Sequence, residues 1–276
     1  MAEAKLNKTD CECKRAKSNF RFYVLCGTGE IEASPHNKKR CNHSIATMLL
    51  TTFTLFHYPA PHQLWAFAQM AFAIPALKRT SGLRFWKLLG SGQGSGFSLH
   101  PNWSRYALLA VWENAETARA FFAKSAFMQK YRRHADEIWT VHLLPLQAHG
   151  AWSGVNPFLP VIAQKTGGPI AVLTRANIRW RCLAAFWSEV PATSRVLENA
   201  AGRLASIGIG EAPFVRQATF SLWRSAADLQ AFAYHTVEHQ KAMRRTRAEG
   251  WYREELFARF MPVASEGTWD GRNPLS

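Results

Sequence analysis

NAETARAFF (Asn114–Phe122), two residues after Trp112, recurs as SAADLQAFA (Ser225–Ala233), two residues after Trp223. Each copy has a tryptophan ending an apolar run, a small polar residue suited to cap a helix, then apolar residues at helical spacing. The match continues outward. Gln129–Lys130 recurs as Gln240–Lys241, and Pro75–Ala76 as Pro191–Ala192. After an insertion of about six residues, GWYREE, Pro145 recurs as Pro262. GAWSG (Gly150–Gly154) then recurs as GTWDG (Gly267–Gly271). The chain contains an internal duplication.

The order of elements follows from that frame. MLLTTFTLFHY reads as a strand, and Pro59 and Pro61 open a helix through HQLWAFAQMAFA. LRFWKLLG is a strand closed by GSGQGSGF, and RYALLAVW is another. NAETARAFFAKSAFMQKYRRHA is a helix capped by Asn114, and EIWTVHLLPL a strand. The second copy repeats this with PIAVLTRA, WRCLAAFWSEV, RLASIGIG, RQATFSLW, a long helix capped by Ser225, and ELFARFMPV. Two βαββαβ units predict an α+β protein of tandem ferredoxin-like repeats. Helices cover one face of each antiparallel sheet, and the remaining faces are buried most simply against each other. The expected result is a pseudo-dimeric α+β barrel. The expected divisions are a dispensable extension over 1–46, with a natural start near Met48, and halves over 47–156 and 157–276. The boundary falls near Pro157–Gly168.

The 276 residues are 47% hydrophobic, with 11 tryptophans and 18 phenylalanines, which suits wide apolar surfaces or a pocket for a greasy ligand. The formal charge of +15 points to an anionic partner. The basic residues are dispersed and carry no zinc-finger, RNA-recognition or basic-zipper pattern, so nucleic acid is not expected. Four of five cysteines precede residue 47, and the odd count argues against a disulfide framework. The N-terminus lacks a signal-peptide core, and Ile45–Phe56 is shorter than the roughly 20 residues of a spanning helix. The chain reads as cytoplasmic, with peripheral contact to an anionic membrane as an option.

A feature present in one copy only is a candidate for function. His239 aligns with Met128 and His235 with Lys124. The insertion GWYREE belongs to the second copy, the glycine-rich GSGQGSGF to the first. His239, at the edge of an apolar helix face beside Phe232 and followed by Arg244, Arg245 and Arg247, has the makings of an iron site with cations for an anionic cofactor. The alternative is a satisfied structural histidine with the arginines as a solvated face. GSGQGSGF leads to a strand rather than a helix, so it makes a connection or a lid rather than a phosphate cradle. There is no GxSxG or HExxH. Glu254 and Glu255 are adjacent in a strand and face opposite ways. His57 shows no fixed partner, and His142 sits within a strand.

GWYREELFARF (Gly250–Phe260), with His239 upstream, closely resembles the signature of the spheroidene monooxygenase family, the acyclic carotenoid 2-ketolases. FWKLLGSGQGSGF, PNWSRYALLAVW, PIAVLTRA, IGIGEAPFVRQATFSLW and GTWDG match as well, in order, over about residues 48–271. The resemblance implies a haem-dependent monooxygenase that uses O2 and reduced ferredoxin to place a keto group at C-2 of acyclic carotenoids such as spheroidene. It implies two successive hydroxylations at an allylic carbon, the second giving a geminal diol that loses water. Related ferredoxin-like haem proteins hold iron through a histidine on a helix beside the barrel. By that analogy the ligand falls on His239, with His235 as the fallback. Arg244, Arg245, and Lys87 or Arg175 become partners for the haem propionates, each also readable as a surface cation. An apolar barrel interior is expected to hold the polyene. A haem or apolar-ligand binder without catalysis, or an oxygenase of the same fold on another apolar substrate, is the alternative.

Overall fold

The computed structural model of the chain describes residues 49–159, 167–235 and 237–276, without the side chains of 234, 235, 237–239 and 242. The extension 1–46, the start near Met48 and part of the Pro157–Gly168 boundary lie outside the described residues.

The first copy comprises β1 (Leu50–His57), α1 (Gln63–Phe72), α2 (Ile74–Lys78), β2 (Leu83–Gly92), β3 (Pro101–Trp112), α3 (Ala115–Lys124), α4 (Ala126–Arg132) and β4 (Glu137–Gly150). The second comprises β5 (Ile170–Ile178), α5 (Leu183–Glu198), β6 (Arg203–Ala212), β7 (Arg216–Trp223), α6 (Ala226–His235), α7 (Val237–Glu249) and β8 (Tyr252–Gly267). The strands close into one barrel in the order β1-β3-β2-β6-β7-β5-β8-β4. The α+β barrel of tandem ferredoxin-like repeats is therefore the observed fold.

Local chemistry explains the element ends. The Asn114 side chain accepts from the Thr117 N–H at 2.9 Å, and the Ser225 hydroxyl from the Asp228 N–H at 3.1 Å. Each satisfies a first-turn donor that has no partner within the helix. The long helix expected after Asn114 is broken at Ser125, which is extended (φ −69°, ψ 141°) and caps α4 by accepting from Met128 N–H at 3.1 Å. A serine that bonds the backbone ahead of it competes with helix continuation. β4 and β8 outrun their expected apolar cores because they pair with each other along their length, with Leu143 opposite Pro262 and Pro145 opposite Phe260. The two pairs exchange when one copy is laid on the other, Pro145 matching Pro262 and Leu143 matching Phe260, so this seam lies on the pseudo-twofold axis. The other seam, β2 with β6, has two pairs, Gly90–Gly210 and Ser91–Ile209.

The barrel interior is packed. Phe53 and Phe220 stack at 4.0 Å across it, amid Leu109, Trp139, Leu173 and Phe260. Trp152 and Trp269, from the two repeated GxWxG turns, are buried in the same cluster and close the barrel. Each turn is held by one carboxylate: Glu254 accepts from Ser153 and Gly154 N–H (3.1 and 2.7 Å), and Glu137 from Asp270 and Gly271 N–H (3.1 and 2.7 Å). The expected polyene chamber within the barrel is thus corrected. Eight strands leave an interior just wide enough for their own side chains to fill.

Candidate functional site

Helices cover the outer face of each half, and the two covered layers differ. In the first, Phe56, Tyr106, Leu108 and Trp112 from the strands meet Phe121, Phe122, Phe127, Met128 and Tyr131 from α3 and α4 in one continuous buried cluster. In the second, the buried residues among those described fall into two clusters. One joins Ala176, Ile178, Phe186, Val190 and Trp251; the other joins Ile170, Val172, Trp223 and Leu229.

Strand register shows what separates them. Thr54 lies between Leu108 and Thr140, is fully buried, and shares a 3.0 Å hydrogen bond with Thr140. Its counterpart Thr174 lies between Thr219 and Phe257 on an inner strand, yet it is exposed. Around it Thr140 gives way to the larger Phe257, while the other fillers have shrunk or turned polar. Phe56 gives way to Ala176, Tyr106 to Gln217, Leu108 to Thr219 and Ile138 to Glu255. On the helix side, the position of Phe122 carries Ala233. Interiors are otherwise close-packed, so an exposed residue at the centre of a covered sheet marks a slot between sheet and helices.

The slot has identifiable walls. Phe257 stacks on His149 at 5.3 Å across the β4/β8 seam, and the Arg259 guanidinium lies 5.4 Å over the Phe257 ring. Burial pulls the His149 imidazole below its ordinary value; Glu255 opposes this and Arg259 adds to it. The second copy's extra residues lie before Glu254, because Glu254 and Glu255 pair with β5 as Glu137 and Ile138 pair with β1, so the expected insertion GWYREE is shifted toward α7. They form one end: Trp251 is buried against α5, and Tyr252 packs near Phe186. Burial pushes the Tyr252 hydroxyl up to about 12, against a lowering hydrogen bond with Thr246 and with a smaller raising contribution from Glu255, so it stays protonated at neutral pH.

The glycine-rich segment of the first copy reaches the second layer. The positions of Trp86 and Leu88 on β2 are Ser206 and Gly208 on β6, and Gly96 packs its backbone directly on Gly208. Phe97 meets Phe186 of α5 at 5.4 Å, and the Ser194 hydroxyl donates to Phe97 O at 3.4 Å. The two features that distinguish the copies, the glycine segment and the insertion, therefore converge on one layer.

The sequence candidates are placed as follows. Position 239 lies on α7, while the side chains of His239 and His235 lie outside the described residues. Its counterpart Met128 is buried under the first layer. Arg244 is exposed on α7. Arg245 pairs with Glu189 of α5 (2.9 Å) and Glu249 (2.7 Å), clamping α7 to α5. Lys87 lies on the inner face of β2, bonded to Glu211 (2.7 Å) and Ser153 (2.9 Å). Arg175, 3% exposed, pairs inside the barrel with Glu254 and with Glu211 at 3.6 Å. The sheet separates Lys87 and Arg175 from α7, so the structure does not bring them to the helix of His239. Their chemistry is that of a barrel plug, with Trp152 donating to Glu211 at 2.8 Å. His57 does have a partner, Asp136 at 2.7 Å, and His142 pairs with Glu266 at 3.4 Å. Glu254 and Glu255 face opposite ways as expected. Sequence reasoning missed Thr174, Phe257 and Arg259; the replacement of Leu108 by Thr219 was the available signal, readable only with the register.

No protein-family model matches the chain. Among solved structures, the barrel is similar to an aldoxime dehydratase, with a TM-score of 0.53 at 11% identity over 78% of this chain and 81% of that one. It is similarly related to aldoxime dehydratase OxdRE in complex with butyraldoxime, with a TM-score of 0.52 at 10% identity over 78% and 79%. At such identity the likeness shows the fold alone. Among curated proteins, the chain is 40% identical over 232 residues to the spheroidene monooxygenase of Rhodobacter capsulatus, covering 83% of this chain and 96% of that protein. It is 38% identical over 230 residues to that of Cereibacter sphaeroides, covering 83% and 71%, and 40% identical over 215 residues to that of Rubrivivax gelatinosus, covering 76% and 80%. The chain belongs to the spheroidene monooxygenase family.

Proposed function

We propose that the protein is a haem-dependent monooxygenase that introduces a keto group at C-2 of an acyclic carotenoid, using O2 and reduced ferredoxin. The observation that carries the reading is the slot over Thr174, opened in the copy that has a histidine where the other has buried Met128. The residues present fit a haem: a flat apolar group needs a gap between two layers, an imidazole on one side, and cations for its carboxylates. Thr174, Thr219 and Phe257 form the floor, and His239 on α7 is the iron ligand. Arg244 and Arg259 are the cations placed for the propionates, while Arg245 holds the helix. Bound haem would supply the activation of O2.

The chain's own residues position the substrate and exclude water. The polyene lies outside the packed barrel, against Phe257 and the Phe97 wall, with its allylic C-2 methylene turned to the slot. Each hydroxylation consumes one O2, two electrons and two protons and releases one water. Two rounds give the geminal diol, which dehydrates to the ketone.

The test is expression with ample haem supply, absorption spectroscopy, and product analysis with spheroidene and reduced ferredoxin. A Soret band that is lost or shifted in His239→Ala, and a red-shifted ketone product by mass analysis, are expected. Haem-free wild-type protein overturns the cofactor assignment. Haem-loaded protein that consumes no O2 with any acyclic carotenoid leaves a binding protein instead.

A further inference from the structure

Helix α1 is apolar on two opposite faces. Ala66, Ala73 and Leu77 of the α1–α2 segment are buried in the first layer. On the far side Leu64, Phe67 and Phe72 are 84%, 53% and 74% exposed. Trp103, at the start of β3 and 51% exposed, meets Phe67 edge-on at 5.3 Å and widens the ridge. A helix that is apolar all round is normally covered all round, and a contiguous exposed apolar patch marks an interaction surface. The second copy repeats the ridge in part, with Trp180 83% and Phe214 48% exposed and Trp187 edge-on to Phe214 at 6.3 Å, but Ser188 stands where the first copy has Phe72.

Its rim is basic. From Ala60 to Arg79 the sequence has no aspartate or glutamate, and exposed Lys78 and Arg79 end the segment. Helix α4 runs alongside: Lys130 donates to Gln69 at 3.2 Å, and His134 stacks on Trp65 at 3.8 Å. It brings Lys130, and Arg132 and Arg133 at its end, to the flank of α1, all three exposed.

We propose that this face docks the protein on the surface of an anionic lipid bilayer. Leu64, Phe67, Phe72 and Trp103 enter the boundary between headgroups and acyl chains, while Lys78, Arg79 and the α4 cations meet anionic headgroups. An apolar stripe flanked by cations is the pattern of helices that lie in the interface plane, and each cation near an anionic surface adds attraction. The formal charge of +15 acts in the same direction. A second copy suits the face less well, because apposing two such ridges would bring two basic rims together. The surface lies on the first copy and the slot on the second, so this inference stands apart from the haem reading.

The test is co-sedimentation of the full chain with vesicles of phosphatidylcholine alone and with phosphatidylglycerol added. Binding at least about 10-fold stronger to the anionic vesicles is expected, weakening with salt. The triple variant Leu64→Ser/Phe67→Ser/Phe72→Ser should lose at least about 10-fold of that binding, with unchanged melting and unchanged turnover of carotenoid presented in detergent. Equal binding of wild type and the triple variant overturns the proposal, as does wild type that binds neither vesicle. A concentration-dependent dimer abolished by the same substitutions would also overturn it, since it would assign the ridge to a second copy.

Discussion

The carbonyl oxygen of Gly96 lies 1.9 Å from the point where a Cβ on Gly208 would stand. One residue belongs to the glycine segment of the first copy, the other to β6 of the second. The contact is backbone to backbone, so no rotamer change relieves it. Gly208→Ala should lift the segment off the sheet and cost about 1–3 kcal/mol, the usual range for overpacking. Gly96→Ala would meet the Ser194 hydroxyl at 2.9 Å, a side chain able to turn, and should cost less. Urea unfolding of the two variants checks the order.

Thr174 and Thr54 occupy equivalent places and should respond oppositely to the same change. Thr54→Phe forces a large ring into a packed, hydrogen-bonded site and should destabilise by about 1–3 kcal/mol. Thr174→Phe enters the slot, so its melting temperature should hold or rise. Haem content and ketone product should fall at least about 10-fold, a loss of about 1.4 kcal/mol or more in binding. Thermal melts and the ratio of Soret to protein absorbance read both effects.

Arg175 is buried with carboxylates on either side, and removing one partner of a buried pair leaves the other uncompensated. Arg175→Ala should cost about 3 kcal/mol or more, measured by denaturant midpoint. Glu254 links this pair to the Trp152 turn. Burial pushes its carboxyl up, but the Gly154 and Ser153 N–H groups and the Arg175 guanidinium together outweigh that and hold it below its ordinary 4.5. A lowered carboxyl value in the folded state means the contribution is complete above about pH 4.5 and is lost as pH falls through the folded value. Glu254→Gln should therefore flatten the acid limb of the stability curve below pH 4.5, while lowering stability at neutral pH.

Arg244 and Arg245 are neighbours with different work. Arg245 is partly exposed in its ion pairs, so Arg245→Ala should lower the melting temperature little and leave haem retention near wild type. Arg244→Ala should leave the melting temperature unchanged and speed haem loss to an apomyoglobin trap. Haem transfer rates for the two variants separate the roles.

Much of the architecture was legible from residues alone. The repeated phrases around Trp112 and Trp223 announced two equal units, and Asn114 and Ser225 announced where helices begin, because capping depends on neighbours three residues away. The break at Ser125 was missed because a serine inside an apolar helical pattern reads as tolerated until the geometry shows it capping. In the sequence Lys87 and Arg175 look like cofactor partners, because charge in a strand does not reveal which side of the sheet it faces once a barrel closes.

The chain's residues by themselves determined the duplication, the sheet-and-helix order, the family, and the asymmetry that leaves His239 and the glycine segment each in one copy. Tertiary structure alone decided that the core of the barrel is packed, that Thr174 stands exposed on its outer face, and that the glycine segment of one half walls the layer of the other. Local signals act over a few residues along the chain. The slot is set by strand register and sheet closure, which bring Thr174, Thr219, Phe257 and Gly96 into one layer from four distant segments.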